Sequence, residues 1–369
     1  MIDTVKLVMT YSQRPDWLNG MENILKRNAN TGGVTMTINP SKGYKMAGIY
    51  QPRLKYYEHP SREGIIRKLY IELSLPKLMY GNNFSELTDA DFEAVTRKLS
   101  AALHNTYAIE LSPDELAVAD VSKIDYSKNI IFADHTPVSS ITTSMRTADI
   151  SKTYDVQKTN FRNGGHIYHI HTNSLDIAMY DKVADLKKER VSEKRSYEKH
   201  GYGQMGLLDS LEANKSISIA RFEVRLNSVR KIRSELKMVG FFGGISFREL
   251  YSTDLSRKIL LCHWTQVFTH IPKVSLDSDN PTSLFTSIAK ANPDLTCTQA
   301  MAAAHYQTML KDHDERYIRN LAEGLFNPSQ YRRFKLKSRE PPPVSQLKTL
   351  IEVTKVLEAM KPVSIIDYC

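Results

Sequence analysis

Cysteine is scarce. The 369 residues hold three, Cys262, Cys297 and Cys369, far apart in the chain. They make no CxxC pair and no disulfide framework, which excludes a cysteine-ligated metal module and fits a reducing, cytoplasmic setting. Long apolar runs are also missing. Nothing approaches the roughly 18 consecutive apolar residues of a membrane span, and the opening Met1-Ile2-Asp3 meets an acid at once, unlike a secretion signal. A phosphate loop is missing: Gly32-Gly33 and Gly243-Gly244 lack the Walker lysine spacing. There is no internal repeat, and the only biased stretch is Pro341-Pro342-Pro343. Acids fall short of bases, 41 against 50, for a net charge of +9, which points toward a polyanionic partner. Hydrophobic residues at 41% and charged residues at 25% exclude a disordered or fibrous chain. At roughly 100–200 residues per domain, the length fits two or three domains.

What is present divides by period. Asp3 to Met9, Val34 to Ile38 and Lys68 to Leu73 alternate apolar and polar residues, the mark of strands with one buried face. Leu87 to Thr106 switches to helical spacing (Phe92, Val95, Leu99, Leu103), with Thr88 to cap it. Strand character returns at Val118 to Ile131 and at Ile217 to Leu226. Between them, Ile167 to Met179 reads as two strands joined by Thr172-Asn173-Ser174. A charged helix is expected over about 181–199, and further helices over 256–269, 283–324 and 345–360. The pattern predicts an α+β chain: a mainly antiparallel sheet flanked by helices, then a smaller helical C-terminal region. The division falls in the 240–280 stretch, with domains expected at 1–250 and 251–369, the second a candidate DNA-binding unit.

Three constellations carry chemistry. In Leu175-Asp176-Ile177-Ala178-Met179-Tyr180-Asp181-Lys182, an alternating strand ends at a tyrosine as a charged helix begins. A tyrosine oxygen there is placed to attack a phosphodiester and hold the cut strand covalently. Such a step needs cations on the phosphate, and Lys182 is two residues away. A strand-end tyrosine also serves simple packing, and the chain has 19 tyrosines. Carboxylates form the second set. In the strand around Ile124-Asp125-Tyr126, Asp125 faces away from its apolar neighbours. In Arg221-Phe222-Glu223-Val224-Arg225, Glu223 shares a face with two arginines, as an ion-paired row or as an oxygen ligand for Mg²⁺ or Mn²⁺. The third is His166-Ile167-Tyr168-His169-Ile170-His171. His169 and His171 point the same way, as in the metal strand of HUH endonucleases, which take their nucleophile from a downstream helix; Tyr197 and Tyr202 are then candidates. A strand that merely happens to be histidine-rich reads the same. Basic segments complete the set. Lys187 to Glu198 interleaves both signs, as a solvated face does, whereas Arg332, Arg333 and Lys335 lie in Tyr331 to Arg339, with no acid, and suit phosphate contact.

Taken in order, these stretches resemble the rolling-circle replication initiators of filamentous phages and related plasmids, the gene II type nicking–joining proteins. The likeness lies in Met1 to Leu7, in Glu72 to Asn83 with its Ser-x-Pro-Lys and Gly-x-Asn segment, in Ser122 to Asp125, in Ser174 to Leu186, in Ala220 to Leu226, and in Asn327 to Arg333. It implies a nickase-like fold over about 1–340. It implies that Tyr180 is the nucleophile, that Asp125 and Glu223 hold a Mg²⁺ or Mn²⁺ ion with Asp185 as a weaker third ligand, and that Lys182, Arg221 and Arg225 meet the DNA. The implied partners are a double-stranded origin, the displaced single strand, and the host's helicase, polymerase and single-strand-binding protein, in a bacterial cytoplasm and with no membrane. The His-x-His strand departs from the family's pattern, so His169 and His171 are either alternative ligands or incidental, and the final residues find no match. A non-catalytic origin-binding or repressor protein, or an HUH nickase using His169, His171 and Tyr197, are the competing expectations.

Overall fold

The computed structural model describes residues 1–132 apart from 20, 22–23, 29–31, 42 and 45–48. It then describes 137–146, 148, 150, 153–154, 158–162, 167–187, 218–271 and 346–364, and between 285 and 327 mainly 293–312.

The alternating segments fold as strands. In chain order they are β1 (Ile2–Tyr11), β2 (Lys26–Arg27), β3 (Val34–Ile38), β4 (Arg53–Ser61), β5 (Gly64–Ser74), β6 (Asp120–Phe132), β7 (Lys158–Arg162), β8 (Ile167–His171), β9 (Leu175–Asp181) and β10 (Ser218–Leu226). All join one antiparallel sheet in the order β2-β3-β4-β5-β1-β6-β10-β9-β8-β7. The α+β expectation holds, with helices gathered toward the C-terminus.

The helices are α1 (Leu75–Tyr80), α2 (Phe92–Tyr107), α3 (Pro113–Val118), α4 (Val138–Arg146), α5 (Lys182–Lys187), α6 (Val229–Met238), α7 (Phe247–Leu250), α8 (Thr253–Phe268), α9 (Cys297–Asp312) and α10 (Gln346–Ala359). Thr88 does cap the helix expected from Leu87, through a capping box with Asp91, but the first turn is a tight 3₁₀ turn over Asp89–Asp91. Two further helices, α4 and α6, pack on the sheet. In α6, Ile232 and Leu236 are buried against β6 and β10. α4 packs on β8, β9 and β10.

Opposed residues in a ladder share a face, so the registers assign one apolar face and one polar face to the whole sheet. Leu54, Leu69, Ile71, Val5, Leu7, Ile124, Tyr126, Phe222, Val224, Ile177, Met179 and Ile170 belong to one buried cluster. At the β6–β10 end this face is closed by α8 and α10, which contact each other; Trp264 of α8 meets Phe222 edge-on at 5.7 Å. Leu255, Ile259, Val353 and Leu357 lie in the same core as the sheet, although they follow residue 250. Among the described residues no helix is long and apolar enough to cross a membrane.

Candidate active site

The polar face of β6, β10, β9 and β8 carries three transverse rows. Asn129, Arg221, Tyr180 and Ile167 form one. Ser127, Glu223, Ala178 and His169 form the next, and Asp125, Arg225, Asp176 and His171 the third. Four segments scattered from 125 to 225 are thus brought to one surface by register alone. Alternation placed each residue on its face correctly; which row lay beside which depended on pairing.

Tyr180 sits in the first row. Its hydroxyl donates to Glu223 Oε1 at 2.6 Å. Burial, and then the Glu223 charge, push the Tyr180 pKa well above its ordinary value, so the resting hydroxyl keeps its proton. The Glu223 carboxylate is itself buried at 3% exposure. Burial alone would raise its pKa. Arg225 and Arg221, with the tyrosine hydrogen bond, hold it well below the usual carboxylate range. Both its oxygens are taken: Oε1 faces Tyr180 and Arg221, and Oε2 is paired with the Arg225 guanidinium.

Arg221 is 2% exposed and is held on every side. Its Nε donates to Asn129 Oδ1 at 2.8 Å and its Nη1 to Asp3 Oδ1 at 3.3 Å, while Nη2 donates to the Asn83 carbonyl. The last contact explains the Gly81-Asn82-Asn83 segment. Gly81 ends α1 at φ +72°, a left-handed conformation that costs glycine little. Asn82 Oδ1 then accepts from the Phe84 and Ser85 amides at 2.9 Å each, which turns the chain so that the Asn83 carbonyl faces Arg221. Met1 to Leu7 contributes Asp3 in the same way.

Lys182 opens α5 with its ammonium 5.8 Å from the centre of the Tyr180 ring. It is 1% exposed. Burial, then the Arg221 charge, lower its pKa to about 7, with the Asp3, Glu223 and Asp185 charges opposing. Asp185 lies on α5 three residues along and reaches the site through that charge. Asp125 is pushed up to about 7 by burial, against the pull of Lys123 and Arg225. Lys123 is 3.4 Å from Asp125 Oδ2, and Oδ1 is buried without a hydrogen-bond partner.

The third row meets the histidines. His169 and His171 share the face, with Ile170 buried opposite, and their rings lie 3.6 Å apart between centres. His171 Nδ1 is 3.0 Å from Asp176 Oδ1, and Asp176 Oδ2 accepts from Asn227 at 2.9 Å. His169 Nε2 is buried without a partner. Among the described residues, His169, His171 and Asp176 are the set of three whose ligand atoms all lie within 4.8 Å of one another. Asp125, Glu223 and Asp185 are not in that set. The fit to a divalent cation rests on the orphaned His169 Nε2 and on the second imidazole and the carboxylate beside it. Two imidazoles and a carboxylate suit Mn²⁺ better than Mg²⁺, which prefers oxygen. Asp176 went unnoticed in the sequence because its closeness to His171 is created by the β8–β9 hairpin; the turn signal at Thr172-Asn173-Ser174 pointed to it.

The family model for the N-terminal region of the phage replication-associated protein, the gene II protein, matches residues 1–242. The chain belongs to this family. The match takes in all three rows, Lys182 and the Gly81 to Asn83 segment, so the site lies wholly inside the part of a gene II type replication protein that the family defines. No curated protein and no solved structure matches the chain. Tyr197, Tyr202, Arg332, Arg333 and Lys335 lie outside the described residues.

Proposed function

We propose that the chain initiates rolling-circle replication by nicking one strand of a double-stranded origin, with Tyr180 as the nucleophile. The observation that carries this reading is the Tyr180 hydroxyl, oriented by Glu223, with Arg221 across the ladder and Lys182 beside its ring. Tyr180 Oη attacks phosphorus in line with the bond to the 3′ oxygen. The Oη–P bond forms and the P–O3′ bond breaks. The tyrosine proton leaves along the hydrogen bond to Glu223, and the 5′ phosphate stays on the tyrosine. The departing 3′ oxygen takes a proton, for which Lys182, with a pKa near neutrality, is suited. Arg221 and Arg225 offset the charge that builds on the phosphate. Rejoining is the same exchange in reverse with a new 3′ hydroxyl, so no nucleotide is consumed.

In this reading Glu223 orients the nucleophile and takes its proton through Oε1, while Arg225 holds Oε2. A divalent cation is assigned to His169, His171 and Asp176, with Asp125 as a further oxygen on the same face. It would supply positive charge beside the phosphate. Residues 1–250 form the nicking unit, with α8 and α10 packed on its apolar face and 251–369 adding DNA contacts through Arg332, Arg333 and Lys335. Origin DNA is the partner, and the host helicase, polymerase and single-strand-binding protein act downstream.

The histidine cluster favours one second reading, an HUH nickase whose nucleophile is Tyr197. Cleavage of the element's own supercoiled plasmid in Mg²⁺ or Mn²⁺ separates the two, with Tyr180→Phe, Tyr197→Phe and His169→Ala run beside the wild type and the covalent adduct followed on a gel. Nicked circles and adduct should vanish in Tyr180→Phe and persist in Tyr197→Phe. The opposite pattern moves the nucleophile to Tyr197. Retardation of the plasmid without nicking in either metal makes the chain an origin-binding or repressor protein.

A further inference from the structure

The polar face does not end at β6. It continues across β1, β5 and β4, where the registers align Lys123 with Lys6, Lys6 with Glu72, Glu72 with Arg53, and Tyr70 with Lys55. A groove of about 500 Å³ opens there, lined by four cations, Lys6, Arg53, Lys55 and Lys123, with Tyr57 and Tyr70. Its one carboxylate, Glu72, draws three of the cations together: Lys6 at 3.1 Å, Lys123 at 3.5 Å and Arg53 at 3.9 Å. Glu72 and, beside the groove, Asp125 set two acids against these four cations, so the groove keeps a net positive charge. Tyr57 stacks on His59 at 5.7 Å with the rings 21° apart, making an aromatic ledge on the same face.

Two residues join this groove to the candidate active site. Lys123 lies between Glu72 in the groove and Asp125 in the third row. Asn227 lines the groove and donates to Asp176. From Tyr180 on β9 to Tyr57 on β4 is five strand spacings, about 24 Å across the sheet, and both residues lie on its polar face.

We propose that this groove holds single-stranded DNA continuous with the phosphate that Tyr180 attacks, with phosphates on Lys6, Arg53 and Lys55 and unpaired bases on Tyr57 and Tyr70. Cations interleaved with partly exposed aromatic rings are the surface that a single strand requires, because stacking needs a base face that a duplex keeps covered. The charge is complementary to phosphate, and the strand's course follows from the continuity with the site. Which strand is held rests on the nicking function proposed above.

The test is fluorescence anisotropy with labelled oligothymidylate and with a duplex of equal length, using the full chain in the Tyr180→Phe background so that binding is read without cleavage. Two paired variants are compared, Arg53→Glu with Lys55→Glu and Tyr57→Leu with Tyr70→Leu. The charge pair should weaken single-strand binding at least tenfold and flatten the dependence of log K on log salt by about 0.7 for each phosphate no longer neutralised. The aromatic pair should weaken single-strand binding by about tenfold and leave the duplex unchanged. Lys55 is exposed, so Lys55→Glu alone tests the groove without burying a charge. Unchanged single-strand binding in both pairs overturns the proposal, and so does an equal loss for duplex and single strand in the aromatic pair. Normal plasmid nicking by the wild type with unaffected strand binding in the variants would sink the groove alone. A loss of strand binding in the variants beside a wild type that never forms the adduct would sink the nicking reading and leave the groove standing.

Discussion

At the residue scale the site is an arrangement of charges that can exist only together. Arg221 and Glu223 are both almost fully buried, and each would carry a large desolvation cost alone. Lys182 is buried as deeply, and its lowered pKa records the same cost. The consequence for stability has a definite sign. Between a folded pKa of about 7 and the unfolded value near 10.5, the unfolded chain binds the proton that the folded chain has released. Stability therefore rises with pH across that window, by at most about 1.4 kcal/mol per pH unit from this group. Lys182→Met should remove that contribution. In urea titrations at pH 7 and pH 9, the wild type should gain more stability than the variant; equal gains would show that folded Lys182 keeps its proton across that window.

At the element scale the apolar face of the sheet is secured by helices tied to each other through buried polar groups. Glu235 of α6 meets His263 Nε2 of α8 at 3.0 Å, and His263 Nδ1 is 2.9 Å from the Tyr154 hydroxyl. Burial alone would raise the Glu235 pKa, but the hydrogen bonds and charges of His263 and Lys231 bring it below the ordinary value. Its contribution to stability is complete above the unfolded glutamate pKa and is lost as pH falls through the lower folded one. Glu235→Ala strands a buried imidazole and should cost about 1–3 kcal/mol at neutral pH. Chemical denaturation reads this directly, and the deficit relative to wild type should shrink in acid. A deficit that is constant from pH 7 to pH 3 would count against an ionic tie.

Across the molecule as a unit, the sheet's folding extends past the stretch that the family defines. The family match ends at residue 242, yet Ile259, Leu260, Trp264, Val267, Val353 and Leu357 are fully buried in the core that the sheet shares. Removing one large apolar side chain from such a core costs about 2–5 kcal/mol, and a whole domain has only about 5–15 kcal/mol of stability. A chain ended after residue 250 should therefore lose its cooperative thermal transition and bind a hydrophobic dye. A sharp transition at the full chain's midpoint would place the folding unit within 1–250.

Period and chemistry were legible in the residues. Alternation assigned Asp125, Arg221, Glu223, Arg225, His169 and His171 to the polar face, because side chains along a strand point to opposite sides whatever the strand pairs with. The tyrosine at the end of an alternating run, the capping threonine at 88 and the hairpin turn at 172–174 were readable for the same local reason. Pairing was not. The order that sets β10 between β6 and β9 decides that Glu223 serves Tyr180 and that Arg221 reaches Asn129. Which residue types face which side was therefore written into the chain, through backbone geometry acting over a few positions. Which of them meet was decided by the folded sheet, because contacts between residues a hundred positions apart depend on strand order and register, to which local periodicity is blind.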